Sequence, residues 1–121
     1  MTGDERARVL ELAAAVDRLV AGDRRLVLSA AGMVLNGLVR LARSDPEEAV
    51  RSWAALAEPG TLERLAAGYG APAELAAPYR RFAAAAVGYV RGTLPAEIAG
   101  LSADVLVAAA LRDSGAVDRQ A

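Results

Sequence analysis

The chain has 121 residues, 55% of them hydrophobic and only 4% aromatic, with a net charge of −1 and neither Cys nor His. That length suits a single domain around one core, here of Ala, Leu and Val, because domains run to roughly 100–200 residues. The missing residue types exclude disulfides, thiolate metal sites, thiol nucleophiles and imidazole bases, and the interspersed charge lacks the positive field that draws proteins to nucleic acid.

Between Asp4 and Ala21 the apolar residues Val9, Leu12, Val16 and Leu19 recur every three or four positions, while Arg8, Glu11, Asp17 and Arg18 lie elsewhere on the wheel. This spacing predicts an amphipathic helix with one buried stripe. Gly22 and Asp23 end it, and a second helix is predicted from about 24 to 43. Its polar and Gly positions, Arg25, Ser29, Gly32, Asn36, Arg40 and Arg43, fall within an arc of roughly 80° at 100° per residue, leaving an apolar arc of roughly 280°. So wide an apolar arc calls for a helix enclosed by others. The run from Leu26 to Val39 carries no charge but is shorter than the ~20 residues a bilayer requires, so it reads as a core helix and not a transmembrane segment.

Asp45, Pro46, Glu47 and Glu48 open a third helix with a cap, a first-turn Pro and acids at the positive end of the helix dipole, with Glu47 placed to pair with Arg51. Glu48 stands at the capping-box position, and Val50, Trp53 and Ala57 form the inner stripe. In this short stretch, Asp45 to Val50 resembles a segment of phasins, the coat proteins of polyester granules. Three neighbouring carboxylates can hold a hard cation or share a proton. Capping and ion pairing account for these three, so no metal is expected.

A short helix follows from Thr61 to about Leu65, and Gly68, Gly70, Pro72 and Pro78 mark an irregular stretch over about 68–78. The segment from Thr61 to Ala76 resembles a helix-turn-helix, but Pro78 would interrupt its second helix. The face that would read bases is Ala73, Glu74, Ala76 and Ala77, with no Asn, Gln or Arg for base edges. Nucleic acid is therefore not expected as a partner.

From Tyr79 to Arg91 another helix places Tyr79, Phe82, Ala86 and Tyr89 on one stripe and the small residues Ala84, Gly88 and Gly92 on a ridge. The last helix starts at an N-cap, Ser102, with Leu101 and Leu106 set as a hydrophobic staple, and from Ala103 to Leu111 only Asp104 is charged. The tail over 112–121 is polar and is expected to fray.

No segment alternates with period two. The fold class expected is all-α, a single-domain bundle of four to five helices around the apolar helix at about 24–43. With no nucleophile, base and orienting group in sequence, no catalytic or cofactor-binding residue is expected. The function expected is that of a non-catalytic interaction protein, an assembly or accessory subunit. The alternatives are a binder of an apolar small molecule, in a pocket between the second helix and the Tyr79–Tyr89 stripe, and a peripheral membrane or granule-coating protein. The residues for such contacts are Asn36, Tyr79, Phe82 and Tyr89, with Ala84, Gly88 and Gly92 as a seam where two copies could meet. A homodimer is expected because a domain with a radius of gyration of about 14 Å has room to surround one apolar helix but hardly two. The opening residues carry mixed charge and no compact apolar run, which leads to the expectation of a cytoplasmic location.

Overall fold

The computed structural model describes residues 1–24, 30–68, 70 and 76–113. Among these residues there are six helices and no strand: α1 (Gly3–Gly22), α2 (Ala30–Ser44), α3 (Pro46–Ala57), α4 (Thr61–Gly68), α5 (Ala77–Arg91) and α6 (Ala103–Asp113). The all-α bundle expected from the periodicity is therefore present, with the short α4 as a sixth element. Arg25, Ser29, Ala73, Glu74 and the end of the tail, 114–121, lie outside the described residues.

Helix α1 begins at a capping box: the Thr2 hydroxyl accepts the Glu5 amide at 3.1 Å, and the Thr2 amide donates to the Glu5 carboxylate at 2.9 Å. Two of the four amides that a helix start leaves unpaired are satisfied in this way. The donated Thr2 amide also holds the Glu5 carboxyl below the usual carboxylate range. From this start Val9, Leu12, Ala13, Ala15, Val16 and Val20 are buried along α1.

Among the described residues, α1 packs against α2, α3, α5 and α6, whereas α2 packs mainly on α1 and α3. On α2, Leu35, Val39 and Ala42 are buried, but Asn36, Gly37, Arg40 and Arg43 are exposed. Its polar arc thus faces solvent, and the described side chains of α2 make an amphipathic helix on the outside. On α1 the small, buried Ala13 and Ala15 let neighbouring helices approach, and Arg8 and Arg18 reach α5 and α6.

Helix α3 opens as its sequence indicates. The Asp45 carboxylate accepts the Glu48 amide at 3.1 Å, with Pro46 in the first turn. Only half of the box forms there, because the Glu48 carboxylate turns to Arg51, which also stands 3.5 Å from Glu47. Pro46, Ala49, Val50 and Trp53 are buried, and Ala57 packs against the core at its edge. Trp53 meets Phe82 of α5, and these two rings with Leu12, Val16, Leu35, Val39 and Val90 occupy the middle of the core.

Helix α5 ends at Gly92, whose φ of 72° is the left-handed conformation that side chains disfavour. The amides of Gly92 and Thr93 both donate to the Gly88 carbonyl, a Schellman-type stop. Ser102 then caps α6, accepting the Val105 amide at 3.4 Å, and Leu106 is buried beneath it while Leu101 stays 37% exposed.

Candidate functional site

The aromatic stripe of α5 is part of the architecture. Phe82 and Ala86 are buried, and Tyr79 and Tyr89 are partly buried against the core. Phe82 meets Trp53 of α3, and Tyr89 meets Glu11 of α1. Burial pushes the Tyr79 hydroxyl above its ordinary pKa. The Tyr89 hydroxyl donates to the Glu11 carboxylate of α1. Burial, and then this hydrogen bond to a negative charge, push its pKa up to about 12.

The small-residue ridge is divided among three environments. Ala84 is exposed, Gly88 is buried, and Gly92 is the helix stop. Gly88 lies against Leu94 of its own chain, so close that an added Cβ would sit 2.7 Å from the Leu94 Cδ2 atom. The close approach that the missing side chain permits is thus made by the chain itself, and the ridge is not an open seam at its middle.

Several long polar side chains connect helices. Arg8 of α1 donates to the Val90 carbonyl of α5 at 2.7 Å, satisfying one of the last carbonyls that α5 leaves unpaired. Arg18 of α1 makes a two-pronged pair with Asp104 of α6 at 3.0 and 3.1 Å, and Arg43 of α2 pairs with Asp17 of α1. Arg80 of α5 pairs with Glu63 of α4. The Glu63 carboxyl is held below its usual range by backbone amides at the start of α4, against the effect of burial, with Arg80 adding to the lowering. Sequence reasoning set Arg8, Glu11, Asp17 and Arg18 apart from the buried stripe without naming partners for them. Their partners are 26 to 86 residues away, a separation no local pattern encodes.

Two surface features are not absorbed by this architecture. One is a shallow, open groove between α1 and α2, about 680 Å³ in volume and lined by Asp17, Asn36, Val39, Arg40, Arg43 and Ser44. Asn36 lies at its exposed face, not at a buried inter-helix contact. The other is the outer side of α6, where Val105 is 48% exposed and Ala109, one turn later, is also exposed, with Leu101 just ahead of the cap. Among the described residues no group of three His, Cys, Asp or Glu side chains converges as metal ligands, and no helix is long and apolar enough to cross a membrane. Comparisons with protein-family models, with curated proteins and with solved structures gave no match.

Proposed function

We propose that this chain is a non-catalytic interaction protein, an assembly or accessory subunit that works through the outer face of α6, and that its first partner there is a second copy of itself. The observation that supports this reading is the two-sidedness of α6. Its inner edge, Ala103, Leu106 and Val107, is buried in the bundle, yet its outer edge still presents Val105 and Ala109. Asp104, the acid in the first turn of α6, is held in the pair with Arg18. Two such edges related by a two-fold axis match each other, apolar against apolar, and a closed symmetric pair is the commonest way to cover them.

The chemistry-bearing side chains fit the same reading. Tyr89, Glu11, Arg8, Arg18, Glu63 and Arg80 are engaged in holding helices together. Size exclusion coupled to light scattering tests the proposal on the full chain. A mass near twice 12.5 kDa at micromolar concentration, returning to 12.5 kDa in Val105→Glu with helicity unchanged, is the expected result. A wild-type mass of 12.5 kDa rejects the self-partner, and flotation of the wild type with liposomes reassigns the apolar edge to lipid.

A further inference from the structure

We propose that the groove between α1 and α2 is a recognition site for a single carboxylate group, held by Arg40 and Asn36. The inference is independent of the α6 face. Its basis is an inventory of donors and charges in the groove. Arg43 is committed to Asp17, and the Ser44 hydroxyl donates to the Leu41 carbonyl. Arg40 and Asn36 have no hydrogen-bonding or ionic partner among the described residues. They stand one helical turn apart on the same exposed face of α2, so their side chains are neighbours.

The charges select the ligand. Two guanidinium groups and one carboxylate line the groove, a balance of one positive charge, which a monoanion neutralises and a dianion over-compensates. The groove also lies toward the C-terminal end of α2, where the helix dipole is negative and opposes a higher anionic charge. A planar carboxylate matches the fork of the Arg40 guanidinium with two parallel N–H···O bonds, and the Asn36 amide N–H is placed to add a third. Val39, buried at the base of the groove, supplies an apolar floor for the carbon that bears the carboxylate. Such a group arrives either on a small acid or on a Glu or Asp side chain of another protein.

The test is a nuclear magnetic resonance titration of the full isotope-labelled chain at constant ionic strength. The probes are acetate, inorganic phosphate and the blocked peptide acetyl-Gly-Glu-Gly-amide. The Arg40 Nε–H and Asn36 side-chain amide signals should move and saturate with acetate or with the peptide. The tighter of the two identifies the source. Phosphate should require at least several-fold higher concentration, and Arg40→Gln should abolish saturation while leaving the remaining spectrum in place, because Arg40 makes no contact that the fold requires. Unsaturable shifts with both carboxylate probes, an undiminished response in Arg40→Gln, or tighter saturation by phosphate each overturns the assignment.

Discussion

The ring of Phe82 meets the indole of Trp53 edge to face, with centroids 6.1 Å apart and planes inclined at 75°. This pair joins α3 to α5 at a point where both side chains are only 1% exposed. Edge-to-face pairs add roughly 0.5–1.5 kcal/mol to the burial of the rings themselves. Trp53 emission should therefore be blue-shifted in the native protein, and Trp53→Ala should cost about 3–5 kcal/mol in denaturant unfolding. Phe82→Ala should cost a similar amount and shift Trp53 emission to the red. Solvent-like emission from the folded wild type would show that the two helices are not packed in this way.

The bond from Arg8 to the Val90 carbonyl predicts a cost out of proportion to the partial exposure of Arg8. Hydrogen bonds from charged donors contribute roughly 1.5–3 kcal/mol. Solvent contact reduces that to about 1–2 kcal/mol for Arg8→Met, which keeps the aliphatic stem. Exchange of amides in the last turn of α5 should accelerate in the variant. An unchanged midpoint would mean that the carbonyl is as well served by water.

Tyr89 gives a pH dependence whose sign follows from its raised pKa. The folded protein holds the Tyr89 proton up to about 12, whereas an unfolded Tyr releases it near 10. Below about 10 both states are protonated and the contribution to stability is complete. Between the two values the folded state binds more protons, so stability falls as pH rises. Tyr89→Phe should reduce the slope of unfolding free energy against pH in that window. A slope identical in wild type and variant would contradict the Tyr89–Glu11 bond.

Two glycines should respond in opposite directions to the same substitution. Gly37 is exposed within α2 with nothing within 4 Å of an added Cβ, so Gly37→Ala should stabilise by about 0.5–1 kcal/mol through helix propensity. Gly92 also has open space, but its φ of 72° makes Gly92→Ala cost about 1–2 kcal/mol. Thermal melts of the two variants check both signs at once.

The helices and their inward faces could be read from the sequence because burial repeats with the helical period. Val9, Leu12 and Val16, and likewise Val50 and Trp53, lie where that period puts them. The start of α1 was legible too, since Thr2 and Glu5 have capping-box spacing, but the apolar pattern drew the boundary to Asp4. What a one-dimensional pattern lacks is distance through space. It shows Asn36 as an amide on an apolar helix without telling whether a neighbour covers it, and Gly88 as a gap without telling that Leu94 fills it. That α1 meets four other helices has the same origin. It depends on which helices return to which side, which loops and long-range pairs such as Arg18–Asp104 determine.

The most direct test of the proposed self-assembly uses the absence of Cys from the chain, which makes any introduced thiol unique. Val105→Cys places one on the exposed edge of α6, and Ala84→Cys places one on the exposed side of α5 as a control. A disulfide closes only when two Cα atoms come within about 4.4–6.8 Å, a condition a two-fold pairing of α6 edges meets near its axis. Under mild oxidation at micromolar concentration, Val105→Cys should be captured rapidly as a covalent dimer while Ala84→Cys remains monomeric. Failure of Val105→Cys to cross-link, or equal or faster cross-linking of Ala84→Cys, would contradict assembly through α6.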